Sequence, residues 1–231
     1  MSGPPSIIRQ IQQRWGTDAI QPLDAIKERP LFDVIPTGFS QLDQALPPGG
    51  IPRGRITELM GTATSGMTTV ALSIAAQVQT MGEAVVYLDV NRTFDPGYTQ
   101  ASGLNLEHLY VLLPDKAALE MAYDLVVGGG IGLLIFDSLS DWLSVNQDHE
   151  RAHGWLQRLS NQLLPGFSAV ILLNDTDIPL AQQAAVRLQF TRQAWHFQAR
   201  DVEGYTTQVR VRKNRFAPEV DDIALTIRIV D

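Results

Sequence analysis

A glycine-rich segment over residues 61–69 has the residue types and the spacing of a phosphate-binding loop. It reads Gly-Thr-Ala-Thr-Ser-Gly-Met-Thr-Thr and lies between an apolar stretch and a helical pattern. Backbone amides and the positive dipole end of a following helix attract anions such as phosphate. The pattern G-x-x-x-x-G-K-[ST] is met except that Met67 replaces the lysine, and Thr68 supplies the hydroxyl that would hold Mg²⁺. The candidate phosphate-contacting residues are Gly61, Thr64, Ser65, Gly66, Met67, Thr68 and Thr69.

Short strands and longer helices alternate around this loop and must position it. Apolar runs predict strands over residues 55–60, 84–89, 110–113, 133–136 and 169–173. Helical patterns predict helices over residues 68–80, 117–127 and 153–164. Short apolar runs that are separated by helices indicate a buried parallel sheet with crossover helices.

The pattern changes toward the C-terminus. Segments 189–199 and 206–212 flank residues 201–204, which have the composition of a hairpin turn, and residues 223–230 alternate like a strand. We therefore expect an α/β fold with a central, mostly parallel twisted sheet, flanking helices and antiparallel C-terminal strands.

Composition excludes several classes of protein. The 231 residues suit one large domain, or one domain with a short arm. The absence of cysteine excludes disulfide scaffolds, thiolate metal sites and cysteine nucleophiles, and it fits a reducing, cytoplasmic location. The longest nearly uncharged apolar stretch, residues 126–136, is too short to span a bilayer, so we expect no membrane partner.

Charge is distributed unevenly along the chain. The net charge is −7, so the surface as a whole would not attract nucleic acid. Residues 187–215 nevertheless concentrate cations against only Asp201 and Glu203. These cations are Arg187, Arg192, Arg200, Arg210, Arg212, Lys213 and Arg215. They form either the solvated edge of two strands or a local surface for an acidic partner.

The N-terminus predicts a short helix and an extended arm. Ser6 can cap a helix in which Ile7, Ile11 and Trp15 fall at helical spacing, and Gly16 ends it. Such a short apolar stripe is not stable alone in water. It must dock either on the core of its own chain or on a neighbouring subunit. We therefore predict an arm over residues 1–34, with a possible role in oligomerisation, and a core domain over residues 35–231.

Further segments, in order along the chain, resemble the bacterial RecA recombinase family. They are Ile35-Pro36-Thr37-Gly38, Leu42-Asp43, residues 49–55, Glu58, Leu88-Asp89, Asp95-Pro96, Tyr98, residues 134–138 and residues 211–215. The similarity covers nearly the whole sequence, and it identifies a RecA-like paralogue with a degenerate nucleotide site. The C-terminal domain that follows the core in the family has no counterpart in this sequence. The fold that the resemblance implies is a RecA-like P-loop NTPase core.

The resemblance also implies a site for ATP and Mg²⁺. Asp137, at the end of an apolar strand, would organise Mg²⁺ and water. Asp95 and Tyr98 would hold the adenine, one by a hydrogen bond and the other by stacking. By the same resemblance, Lys213 and Arg215 would reach across a subunit interface toward the neighbour's nucleotide. Residues two apart on a strand project from one face, as that role needs. The partners would be further copies of this chain or another member of the family.

Three departures concern the chemistry that the resemblance implies. Met67 removes a lysine that neutralises phosphoryl charge, Asn91 replaces the glutamate that polarises the attacking water, and Asp175 replaces a glutamine that senses the terminal phosphate. Losing one charge-assisted hydrogen bond costs about 1.5–3 kcal/mol, so weak ATP binding survives. Losing an electrostatic donor or a general base slows a reaction about 10²–10⁴-fold, so we expect little or no hydrolysis.

The two loops that bind single-stranded DNA in the family correspond here to residues 139–152 and 175–183. Between them they carry a single cation, Arg151, and several acidic residues. Phosphate neutralisation requires Lys or Arg, so we expect any direct binding of single-stranded DNA to be weak.

Three functions remain open from the sequence. The favoured one is a catalytically impaired RecA-like protein with an accessory or regulatory role in DNA recombination or repair through protein contacts. In that respect it resembles the accessory RecA homologues that assist translesion polymerases. The second is an active DNA-dependent ATPase whose missing cations come from a neighbouring subunit. The third is an assembly module that binds no nucleotide.

Overall fold

The computed structural model describes residues 5–22, 32–163, 168–198, 201–218 and 220–228. The chain divides into two compact units, residues 1–31 and 32–231. Helix α1 of the first unit spans Ser6–Trp15, so Ser6 is its first residue rather than its cap. No residue of α1 is buried. The predicted assignment of an arm and a core domain stays a prediction.

The elements of the second unit follow the predicted alternation. Its strands are β1 (Val34–Ile35), β2 (Ile51–Pro52), β3 (Ile56–Gly61), β4 (Val85–Asp89), β5 (Leu109–Leu112), β6 (Leu133–Asp137), β7 (Ala169–Asn174), β8 (Val186–Gln198), β9 (Asp201–Asn214) and β10 (Ile223–Arg228). Its helices are α2 (Ser40–Ala45), α3 (Met67–Thr80), α4 (Pro96–Ala101), α5 (Ala118–Val127), α6 (Leu139–Asn146) and α7 (His149–Gln162). Within the described ranges, no helix is long and apolar enough to cross a bilayer.

The loop-bearing strand β3 lies inside the large sheet. The described strands of this sheet follow the order β10-β9-β8-β3-β7-β6-β4-β5, with β3 to β8 parallel and β9 and β10 antiparallel. Met60 lies opposite Asn174 of β7, and Gly61 lies opposite Phe190 of β8. The predicted fold class is confirmed. The carboxyl end of β7 and the middle of β8 therefore flank the start of the phosphate loop.

The hairpin of β8 and β9 is longer than the sequence predicts. Gln198 pairs with Asp201, so the turn predicted over residues 201–204 is wrong. Gly204 lies within β9, where a Cβ atom would come within 2.3 Å of the carbonyl oxygen of Ile227. This glycine allows β10 to approach β9 closely instead of marking a turn.

Two apolar layers cover the faces of the sheet. Helix α3 contributes Val70 and Ile74 to one layer, and α5 and α7 contribute Leu119 and Trp155 to the other. The indole nitrogen of Trp155 donates to the carbonyl of Leu119 at 2.6 Å. Trp142 is also buried, at 4% exposure. Both tryptophans therefore pack in the core, and neither is available to stack on a base.

The first segment expected to form a DNA-binding loop, residues 139–152, is largely helical, so the prediction of a loop is wrong. Residues 139–146 form α6, and α7 begins at His149. Ser138 caps α6 by accepting from the amide of Asp141, and Asp148 caps α7 by accepting from the amide of Arg151. Polar residues that looked like loop composition are therefore helix caps.

A buried polar network joins β3, β7 and β8 beneath the loop. Glu58 is fully buried and pairs with Arg187 at 2.5 Å. Arg187 also binds Asp177 at 2.6 Å, and the side-chain amide of Asn174 donates to Glu58 at 2.7 Å. Glu58 and Arg187 are register partners across β3 and β8. The network therefore holds together the three strands whose ends surround the loop.

We predict that Arg187→Met lowers the free energy of unfolding by about 3–5 kcal/mol, because it leaves Glu58 charged, buried and unpaired. Urea denaturation followed by circular dichroism measures the change. Arg210→Met is the matched control, since Arg210 forms an exposed ion pair with Asp222. It should shift the midpoint little. Equal effects of the two substitutions would contradict the structural role of the network.

Candidate functional site

The segment between β3 and α3 has the backbone conformation of a tight phosphate loop. Thr64 and Gly66 are left-handed, with φ of 63° and 99°, and the amide of Ser65 donates to the carbonyl of Thr62 at 3.0 Å. A Cβ atom at Gly66 would lie 2.5 Å from Cδ1 of Ile227. Glycine is therefore required at Gly66 both for its backbone angle and for close packing against β10.

The loop offers unpaired donors to an anion. No side chain caps the N-terminus of α3, so its first amides lack intrahelical partners. Ser65 is 1% exposed, and its hydroxyl has no hydrogen-bond partner among the described residues. Thr62, Ala63 and Thr64 are exposed. These features fit a phosphate group that approaches from solvent.

Met67, which stands in the lysine position, packs against the apolar core below α3. A positive charge reaches the loop instead from β8. Nη1 of Arg192 donates to the hydroxyl of Thr64 and lies 3.5 Å from its carbonyl oxygen. The guanidinium stacks over Trp195, with 4.5 Å from Cζ to the ring centroid. A cation from the hairpin therefore lies at the apex of the loop.

An aromatic group packs beside the first turn of α3. The hydroxyls of Thr69 and Tyr98 lie 2.7 Å apart. Tyr205 is buried, and its ring centroid lies 5.3 Å from that of Trp195. A Cβ atom at Gly66 would lie 3.2 Å from the Tyr205 hydroxyl. Burial raises the pKa of Tyr205 above its usual range. Tyr98 thus lies next to the loop, as the adenine role requires, but Tyr205 lies there as well.

Asp95 performs a structural task in the described chain. It caps α4, where Oδ1 accepts from the amide of Tyr98 at 3.1 Å. The side chain is exposed, and its second oxygen accepts no hydrogen bond from the described residues. One oxygen of Asp95 therefore remains for a ligand.

Carboxylates collect at the ends of β4 and β6. Asp137 accepts a hydrogen bond from the hydroxyl of Tyr87. Burial raises the pKa of Asp137, Asp89 and Asp141 raise it further, and the bond from Tyr87 opposes them. This excess of negative charge suits a cation. No group of three or more acidic or histidine side chains in the described ranges could hold a metal ion by itself. Any Mg²⁺ at Asp137 and Thr68 would therefore need phosphate oxygens and water as further ligands.

Asn91, in the position of the missing glutamate, contacts another carboxylate. Its side-chain amide donates to Oδ2 of Asp141 at 2.7 Å, and the hydroxyl of Ser138 donates to the same oxygen at 2.5 Å. Asp141 is not part of the sequence motifs that indicate the site. Its carboxylate therefore lies beside the position where the water-polarising group was expected.

The two cations expected to act across an interface have different surroundings. Nζ of Lys213 donates to the carbonyl of Gln182 at 2.6 Å, and burial lowers its pKa, with help from Arg215 and Arg187. Arg215 lies beyond the end of β9 and is exposed. Strand alternation therefore does not relate the directions of the two side chains, because only Lys213 belongs to the strand. The role of either cation across an interface stays a prediction.

Asp175 lines a small cavity at the start of the loop. The cavity has a volume of about 210 Å³, and Thr62 and Arg212 lie on its other sides. The carboxylate is exposed. Asp175 is therefore close enough to the loop to influence an anion there, as its position in the sequence suggests.

Three residues at the site were not identified as site residues from the sequence: Arg192, Tyr205 and Asp141. The first two come from the β8–β9 hairpin, and only the pairing of β8 with β3 brings them to the loop. The signal available in the sequence was the run of cations that begins at Arg187. It could not indicate which of these cations faces the phosphate loop.

Comparisons with known proteins agree with this architecture. The family model described as RecA N-terminal domain matches residues 5–178. The chain is 33% identical to Protein RecA of Geobacter sulfurreducens over 250 aligned positions, covering 95% of this chain and 74% of the relative. It is 29% identical to Protein RecA of Aquifex aeolicus, covering 95% and 72%. For Protein RecA of Heliobacterium modesticaldum the identity is 32%, covering 91% and 70%. On the extent of these matches and the fold that carries them, the chain belongs to the RecA family.

Proposed function

We propose that this RecA-family protein acts in DNA recombination or repair as a weak ATP-binding protein with little or no hydrolysis. The observation that carries the proposal is the loop itself. Its backbone, with left-handed Thr64 and Gly66 and an uncapped helix, supports phosphate binding, while the partly buried Met67 packs against the core. The conformation of the loop supports ATP binding, and the methionine in the lysine position supports weak binding with little or no hydrolysis.

ATP would be held chiefly by the loop and the start of α3. The backbone amides and the hydroxyls of Ser65 and Thr69 offer donors to the phosphates, and Tyr98 and Asp95 lie beyond Thr69 on the side proposed for the base. Thr68 and Asp137 would hold Mg²⁺. When bound, Mg²⁺ neutralises phosphate charge and offsets the repulsion among the carboxylates near Asp137.

A second function, an active ATPase, is favoured by one specific observation. Asp141 places a carboxylate 2.7 Å from the amide of Asn91. A carboxylate can accept a proton from water, which an amide cannot. Asp141 also accepts from Ser138 at the start of α6, so helix capping explains the same geometry. We therefore retain this function as the alternative that a hydrolysis assay must test.

Self-assembly is the partner arrangement that we propose. The helix α1 has an apolar side that includes Ile7 and Trp15, exposed by 59% and 68%. Along the edge strand β5, an apolar groove of about 400 Å³ is lined by Tyr110, Val111 and Leu125. Exposed apolar surfaces of this kind mark protein contacts. The α1 helix of one copy would lie in the β5 groove of the next.

Direct DNA contact is a minor part of the proposed function. Residues 175–183, the second expected DNA-binding segment, contain a short 3₁₀ helix at Pro179–Gln183 and no cation. The exposed Arg210 is paired with Asp222. The second expected segment therefore offers no positive charge to neutralise a DNA backbone.

We predict that Met67→Lys tightens Mg-ATP binding about 10- to 150-fold, because a charged donor returns to the loop. Equilibrium dialysis with labelled ATP measures the affinity. Met121→Lys, a change at an exposed position on α5, is the matched control and should leave binding unchanged. Absence of ATP binding by the unmodified chain at millimolar ATP would instead support the nucleotide-free assembly module.

We predict that the unmodified chain releases little phosphate from ATP, with or without single-stranded DNA. Asn91→Glu alone would set two carboxylates against each other, so the restoring variant is Met67→Lys with Asn91→Glu and Asp141→Asn. It should raise the rate about 10²-fold or more, because a donor and a base return together. Fast turnover by the unmodified chain that Asp141→Asn abolishes would establish the alternative ATPase.

We predict that Val111→Asp shifts the protein toward monomers, because it places a charge in the β5 groove. Sedimentation equilibrium over a range of concentrations measures the average mass. Val145→Asp, the same change at a residue 74% exposed on α6, should have no effect. A monomeric wild-type chain at every concentration would refute self-assembly.

A further inference from the structure

The β8–β9 hairpin brings a cation to the phosphate loop of the same chain. Gly61, the last residue of β3, lies opposite Phe190 of β8, and β8 continues to Gln198. Arg192, two residues beyond Phe190, therefore reaches past the end of β3. Its Nη1 donates to the hydroxyl of Thr64, the left-handed residue at the apex of the loop.

The surroundings of Arg192 leave its charge available. Nη1 contacts Thr64, whereas Nε and Nη2 have no hydrogen-bond partner among the described residues, and no described carboxylate pairs with this guanidinium. Trp195 supports one face of the guanidinium, and Tyr205 in turn packs against Trp195. Stacking on an aromatic ring restrains an arginine without consuming its hydrogen-bond donors.

The loop needs a cation from outside itself. Met67 is neutral and packs into the core, and Lys213 is bonded to Gln182 of its own chain. The loop nevertheless keeps features of an anion site, since the buried hydroxyl of Ser65 has no partner in the described chain and α3 is uncapped. A guanidinium that has no carboxylate partner and lies against such a loop can donate two parallel hydrogen bonds to two oxygens of a phosphoryl group.

We propose that Arg192 takes over the task of the missing lysine and holds the phosphoryl oxygens of a nucleoside di- or triphosphate in the loop. This inference rests on the proposed function, since it assumes that the loop binds nucleotide. The charge then comes from the hairpin and in cis, not from a neighbouring subunit. Nucleotide binding would move Arg192 relative to Trp195, so the hairpin would respond to the occupancy of the loop.

The test is calorimetric titration of the full chain with Mg-ATP and, separately, with Mg-pyrophosphate. Arg192→Ala should weaken the binding of both ligands by about 10- to 150-fold, the range for one charge-assisted contact. Arg192→Lys should retain part of the affinity, and Arg192→Gln, which can still bond to Thr64, should bind as weakly as Arg192→Ala. Arg210→Ala, on the same hairpin and paired with Asp222, is the matched control.

A double-mutant cycle distinguishes a contact with phosphate from support of the loop conformation. In the Met67→Lys background, Arg192→Ala should reduce the affinity for Mg-ATP much less than in the native chain, because either cation can neutralise the same phosphate charge. If nucleotide binding moves Arg192 relative to Trp195, Mg-ATP should quench the tryptophan fluorescence of the native chain. This quenching should disappear in Trp195→Phe.

The outcomes separate the two proposals. Equal affinity of the native chain and Arg192→Ala would overturn this inference and leave the proposed function standing. The same conclusion would follow if Arg192→Gln bound like the native chain. Failure of the native chain to bind either ligand would overturn the proposed nucleotide binding and this inference with it.

Discussion

The parallel pairing of β3 with β8 decides which side chains can reach the phosphate loop. In this ladder Gly61 lies opposite Phe190 and Glu58 lies opposite Arg187. A shift of one residue would send every side chain of β8 to the opposite face. Because Glu58 and Arg187 also form a buried ion pair, charge adds to the backbone ladder in fixing this register. The position of Arg192 at the loop follows from that register.

The buried ion pair is better understood as a determinant of register than as a source of stability. Removing two charges from water costs several kcal/mol per ion, and good geometry returns little more than that cost. Glu58 accepts hydrogen bonds from Arg187 and Asn174. Asp177 accepts a further hydrogen bond from the guanidinium of Arg187. A misaligned β8 would leave Glu58 unpaired. The network therefore penalises alternative alignments of the strands that surround the loop.

Opposite charges lie on the two sides of the candidate site. The start of α3 and the guanidinium of Arg192 form a positive side. Asp137, Asp89 and Asp141 form a negative side, where burial, together with the charges of Asp89 and Asp141, raises the pKa of Asp137. A phosphate with a bound cation would satisfy both sides at once. This distribution of charge supports the proposed nucleotide site, although the lysine position holds methionine.

The fold class and the location of the loop could be predicted from the sequence because their signals are local. The alternation of strands and helices and the spacing from Gly61 to Thr68 depend on neighbouring residues. Helix caps are harder to predict from the sequence, because residues such as Ser138 and Asp148 are equally common in loops. They act as caps only once the flanking residues fold into a helix. The sequence predicts a turn at Gly204, whereas in the structure this glycine lies in β9 and allows β10 to approach closely.

The amino-acid sequence by itself determined the phosphate loop, the missing lysine and the family to which the chain belongs. Tertiary structure alone decided that Arg192 and Tyr205, more than 120 residues after the loop in the sequence, lie against it. It also decided that Asp141 meets Asn91. The physical reason is that these contacts depend on which strands pair and in which register. That choice is made by burial of the whole sheet and by the Glu58–Arg187 pair, not by any local pattern.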